Sequence, residues 1–107
     1  HKGRTMSERK FIKSNGVDDL VLMDDMTEDA IVENLKKRFQ KDLIYTYIGN
    51  VLLSVNPFRL INGMYSPNII HKYTGRKLYE LAPHVYALAE DTYRAMMSIT
   101  ILCISFY

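Results

Sequence analysis

The sequence has 107 residues, 48% apolar and 24% charged, with a net charge of +2 at pH 7. That length allows one domain of ordinary size, and the apolar share excludes wholesale disorder. The small net charge demands neither a nucleic-acid nor a membrane partner. No apolar stretch approaches the ~20 residues that span a bilayer, and neither end reads as a secretory signal. The one cysteine, Cys103, has no internal disulfide partner, so a reducing cytosolic setting is expected. The chain opens on His1 and closes inside an apolar run, and both ends are read as cuts.

Residues 1–15 carry Lys2, Arg4, Arg9, Lys10 and Lys13 against Glu8 and read as a solvated basic arm. Asn15-Gly16 is a turn signal. The next charges, from Asp18 to Glu33, are all acidic, yet they lack the loop glycine and spacing of a calcium site. Their later members suit a helix start, where the dipole favours negative charge. That helix is expected from Thr27, its N-cap, to Lys41, with Ile31, Leu35 and Phe39 on one stripe. Lys36, Lys37, Arg38 and Lys41 match its far end and read as a solvated face.

Leu43 to Ile48 alternates Ile44, Thr46 and Ile48 against Tyr45 and Tyr47, the mark of a strand. Gly49-Asn50 suits a tight hairpin turn into a second strand, Val51 to Val55. This second run is apolar at both alternating sets of positions, as in a strand covered on both sides. Asn56-Pro57 stops it, because proline has no N–H for the ladder and biases the residue before it. The next stretch is therefore a loop at the carboxyl edge of a sheet, where open α/β sheets place their ligands. There Asn56 offers an amide, Arg59 a cation, and Tyr65 an aromatic face with a hydroxyl. Together they suit a flat, hydrogen-bonding base.

Asn62-Gly63 is a further turn, and Ser66-Pro67 opens a short helix with Ile69, Ile70 and Tyr73 on its apolar side, ended by Gly75. His71 on that helix has no second ligand at metal spacing and reads as a surface or packing residue. Pro83 starts a last helix to about Ser98, with Val85, Leu88, Ala89 and Met96 on one stripe. His84, in its first turn, has no nucleophile to activate and reads as structural. The final run, Ile99 to Tyr107, is strand-like and prone to aggregate if exposed. Cys103 within it has no charged neighbour in sequence to make it reactive.

Several of these stretches, in this order, resemble the motor domain of myosins, class I above all. Gly16-Val-Asp-Asp-Leu-Val-Leu-Met23 resembles the family's lead-in segment, and Ala30 to Phe39 the helix after it. Ile44-Tyr-Thr-Tyr-Ile-Gly-Asn-Val-Leu-Leu-Ser-Val-Asn-Pro-Phe58 resembles the signature around the purine-binding loop. Tyr73, Gly75, Ala82-Pro83-His84-Val85-Tyr86-Ala87 and Tyr93-Arg94-Ala95-Met96 continue the likeness, which covers residues 16–98. The flanking stretches, 1–15 and 99–107, are a basic arm and an apolar, divergent tail.

The resemblance implies an α/β, P-loop motor-type core, here helices plus a two-stranded antiparallel hairpin from its central sheet. It implies ATP as ligand and, for the complete motor only, magnesium, actin filaments and light chains in a cytoplasmic, cytoskeletal setting. Asn56 is implied at the exocyclic amine of adenine, Pro57 and Phe58 at the pocket wall, Arg59 at a position usually basic, and Tyr65 near the base. The sequence departs at Leu60, a place often polar, and Asn62-Gly63-Met64 is one residue longer than usual. The Gly-Glu-Ser-Gly-Ala-Gly-Lys-Thr loop that cradles the phosphates and holds magnesium is not in this sequence, nor are the switch segments. No catalytic residue or magnesium ligand is therefore assigned, and the chain alone is expected to be inactive. The alternative is a small non-enzymatic α+β interaction module that binds through its basic arm and tyrosines.

Overall fold

The computed structural model describes residues 16–95 and 100–106. The expected basic arm and the last turn of the final helix fall outside those residues. A short 3-10 turn (Leu20–Leu22) leads to α1 (Glu28–Gln40), β1 (Tyr45–Ile48), β2 (Val51–Val55), α2 (Pro67–Tyr73), α3 (Val85–Ala95) and β3 (Ile101–Ile104).

Thr27 caps α1 as expected, its Oγ1 accepting the Ala30 N–H at 3.2 Å, and Glu28 and Asp29 fill the first turn. Leu35 is buried, with Ile31 and Phe39 half-buried beside it. Arg38 corrects the expected solvated face. It is 3% exposed, with Nε donating to Thr46 Oγ1 and Nη2 to the Tyr45 carbonyl, both at 2.9 Å. Burial holds its guanidinium below the usual arginine range, opposed by the Asp18 carboxylate. The polar threonine and the strand-end carbonyl turn the side chain inward, a cause invisible to the charge pattern of the helix.

Gly49, at φ +62°, supplies the positive dihedral that the two-residue connection between β1 and β2 needs. The hairpin pairs Tyr45 with Ser54 through Ile48 with Val51. It is not a two-stranded unit. β3 adds in parallel to the far side of β2, Leu52 opposite Ile101 and Val55 opposite Ile104, giving the order β1-β2-β3. A parallel neighbour needs a crossover, and α2 and α3 are that crossover.

Side chains alternate about β2, and each face has its own cover. Leu52 joins Tyr45 and Tyr47 against Leu88 of α3, with Ile61, Met64, Leu78 and Val85 packed around them. Leu53, on the opposite face, meets Val17, Leu20 and Leu35, with Ile31, Ile104 and Phe106 alongside. A strand that is apolar on both faces is thus covered on both, as read from the sequence. The outer edge of β1 is taken by the lead-in segment, where the Tyr47 N–H donates to the Asp18 carbonyl at 2.8 Å. Among the described residues the outer edge of β3 has no strand beside it.

α2 starts at Pro67, but Ser66 lends it no side-chain cap, and Ile70 is exposed rather than packed. α3 starts at Val85, two residues beyond Pro83, and its buried stripe is Ala87 and Leu88, with Ala89 exposed.

Candidate functional site

Asn56 leaves the sheet at the carboxyl end of β2. Its N–H still donates to the Ile104 carbonyl at 2.7 Å, while its Oδ1 accepts the Phe58 N–H at 2.8 Å. That two-residue side-chain turn, with Pro57 between, reverses the chain and puts Phe58 at φ +53°. Asn56 itself is exposed, and its Oδ1 keeps a second lone pair for another donor.

The reversal opens a cavity of about 310 Å³ between the strand ends and the succeeding loop. Asn56, Pro57, Arg59 and Tyr65 line it together with Leu60 and Ile61. Ile44, Ser54, Met64 and Cys103 complete the wall. This volume lies at the lower end of small-ligand pockets, roughly 300–1,000 Å³. Of the residues read from the sequence, four are brought together. Phe58 is not among the lining residues and is 59% exposed.

The loop is tied down at several points. Arg59 pairs with Asp42, both about half exposed, so its charge is shared with a carboxylate that is not itself part of the cavity lining. The hydroxyls of Tyr65 and Tyr45 lie 2.5 Å apart, and the Tyr86 hydroxyl donates to the Tyr65 carbonyl at 3.2 Å. Burial first, and the Tyr65 bond second, push the Tyr45 hydroxyl above the usual tyrosine range. His84 Nε2 donates to the Met64 carbonyl at 2.8 Å. Burial holds that imidazole below the usual histidine value, with the Met64 bond opposing and Lys72 assisting.

Sequence reasoning missed Ile61, Met64 and Cys103 as wall residues. Nothing in the chain order brings Cys103 to Asn56; the parallel pairing of β3 with β2 does, setting Cys103 opposite Ser54. Among the described residues no group of three or more His, Cys, Asp or Glu side chains is placed to hold a metal ion.

A sequence model of the family described as "Myosin head (motor domain)" matches residues 17–101. The chain belongs to the myosin head family. It is 53% identical over 87 residues to Myosin IC heavy chain of Dictyostelium discoideum, covering 81% of this chain and 7% of that one. Over 88 residues it is 54% identical to Myosin IC heavy chain of Acanthamoeba castellanii, covering 82% and 8%. Unconventional myosin-Ib of Mus musculus is 47% identical over 81 residues, covering 76% and 7%. The chain therefore spans less than a tenth of the length of these relatives. The resemblance to class I myosins read from the sequence holds, and the myosin head match reaches the first residue of β3.

Proposed function

We propose that this myosin head segment supplies the base-side wall of an ATP site in an actin-based motor. The observation that carries the reading is the cavity at the carboxyl end of β2, bounded by Asn56, Pro57, Arg59 and Tyr65. β2 and β3 run parallel there, and crevices at the carboxyl ends of parallel strands are where α/β sheets take ligands. The wall chemistry fits a purine: apolar sides from Pro57, Ile61 and Met64, an amide at one rim and an aromatic ring at the other.

In this reading Asn56 Oδ1 uses its second lone pair to accept from the exocyclic amine. Tyr65 presents its ring to the base while its hydroxyl stays bonded to Tyr45. Arg59 screens Asp42, so that a carboxylate does not repel the polyphosphate beyond the ribose. Phe58 shapes the turn through its backbone rather than the cavity through its ring. ATP brings the anhydride whose cleavage drives a motor. These residues bind and orient its base and do not touch the bond that breaks.

Phosphoryl transfer rests on a phosphate loop, magnesium and a positioned water. The 107 residues contain no Gly-x-x-x-x-Gly-Lys-Ser/Thr sequence. Turnover, actin and light-chain binding, and a cytoskeletal location in the cytoplasm belong to the whole motor. Among the described residues no helix is long and apolar enough to cross a membrane. The test is an ATP titration of the 107-residue chain beside a phosphate-release assay. Expected are a Kd on the order of 1 mM, about −4 kcal/mol, and no turnover. Micromolar affinity would overturn the first expectation, and measurable hydrolysis the second.

A further inference from the structure

Met64 and Tyr65 both line the cavity, and His84 at the start of α3 touches both, by a hydrogen bond to the first and a ring contact with the second. The imidazole is 6% exposed and sits among the rings of Tyr45, Tyr65, Tyr73 and Tyr86, at centroid separations from 4.5 to 5.4 Å. Both of its nitrogens are committed. Nε2–H donates to the Met64 carbonyl at 2.8 Å, and Nδ1 accepts the Tyr86 N–H at 3.0 Å. The roles are reciprocal only in the neutral, Nε2-protonated tautomer. One bond caps the first turn of α3, and the other holds a loop carbonyl.

Residues 57–65 contain no helix or strand, and the backbone bond from Met64 N–H to the Ile61 carbonyl is a long one, at 3.3 Å. The Arg59–Asp42 pair lies at a half-exposed surface, where an ion pair holds little. His84 instead fixes Met64 to a helix whose Leu88 and Val85 are packed on the sheet. The sheet carries Asn56, while α3 holds the Tyr65 carbonyl through the Tyr86 hydroxyl, His84 holds Met64, and the Tyr65 hydroxyl is bonded to Tyr45 of β1.

We propose that His84 is a positioning residue for the base cavity, setting the distance between the Met64–Tyr65 wall and Asn56 through the Met64 carbonyl. The inference rests on the base-site reading above. Its two bonds can be separated chemically. Asparagine at position 84 puts an acceptor oxygen where Nδ1 stands but is too short for Met64. Glutamine puts an amide nitrogen where Nε2 stands.

The experiment is an adenosine titration of the full chain followed by amide NMR, with melting curves of the same samples. His84→Asn is expected to weaken adenosine about three- to tenfold, the effect of one hydrogen bond. His84→Gln should bind within about twofold of the parent, whichever variant melts lower. Equal loss of affinity in His84→Gln and His84→Asn would make His84 merely structural and overturn the proposal. Asn56→Ala separates the two readings. If it weakens adenosine while His84→Asn binds like the parent, the positioning role falls and the base site stands. If the parent binds no adenosine, or Asn56→Ala changes nothing, the base site falls and this inference with it.

Discussion

The Asn34 side chain and the Val17 backbone exchange two hydrogen bonds: Val17 N–H donates to Oδ1 at 2.8 Å, and Nδ2 donates to the Val17 carbonyl at 3.0 Å. Asn34 is buried in α1, so this pairing does for the lead-in segment what a strand partner would do. Beside it Gly16 has φ +77°, and a Cβ there would lie 2.6 Å from Asn34 Oδ1. Asn34→Leu should lower stability by about 2 kcal/mol, because two buried backbone groups lose their partners. Gly16→Ala should also destabilise, by strain and by collision. Urea midpoints check both; an unchanged midpoint for Asn34→Leu would refute the role given to this pairing.

The His84 imidazole gives stability a pH dependence of known sign. Its folded value is held below the ordinary ~6.5, so between the two the unfolded chain binds more protons. The contribution is full above pH ~6.5 and is lost as pH falls through the folded value. Around it stand Tyr45 of β1, Tyr65 of the loop, Lys72 and Tyr73 of α2, and Tyr86 of α3, and Arg38 and Asp42 line with it a second cavity, separate from the one at Asn56. No carboxylate among the described residues hydrogen-bonds the ring to offset the loss. Melting temperatures of the parent and His84→Gln should converge as pH drops from about 7.5 to about 5.5, the range that brackets the ordinary histidine value. Parallel curves would show that His84 does not titrate on unfolding.

Tyr47 carries the opposite case. Its ring is 2% exposed, and among the described residues its buried hydroxyl has no hydrogen-bond partner. Tyr47→Phe removes that unpaired group and is expected to be neutral or stabilising by about 1 kcal/mol. Burial also raises the hydroxyls of Tyr45 and Tyr47, so both favour unfolding as pH climbs above ~10. Tyr47→Phe should flatten that alkaline loss, read from denaturation midpoints at about pH 9 and about pH 11, either side of the ordinary tyrosine value.

The outer edge of β3 is open among the described residues, with Ile101 and Leu102 exposed on it. Such an edge templates pairing with a further chain. The isolated polypeptide should therefore self-associate with rising concentration, and Leu102→Lys should suppress it. Sedimentation velocity at two concentrations decides; a parent chain monomeric at both would contradict the reading.

Local chemistry made much of this legible. The Thr27 cap, the two-residue turn at Gly49-Asn50 and the Asn56-Pro57 stop each act within a few residues, and each appears where the sequence puts it. The doubly apolar β2 likewise announced its two covers. The hidden parts depend on partners distant in the chain. Arg38 looks like one more cation of a basic helix end until Thr46 and the Tyr45 carbonyl turn it inward. The third strand was visible as strand-like composition, but its parallel register was not, and Cys103 reaches the cavity only through that register. Phe58, at a positive φ, is exposed and not among the lining residues, a placement its aromatic side chain did not announce.

Cys103 offers the sharpest test of a purine in this cavity. It is the one cysteine of the chain, exposed, and part of the cavity wall with Asn56 and Tyr65. If the cavity takes a purine, saturating adenosine should slow alkylation of Cys103 several-fold, and Asn56→Ala should abolish the protection. Alkylation at the same rate with and without adenosine would contradict a base site at the end of β2.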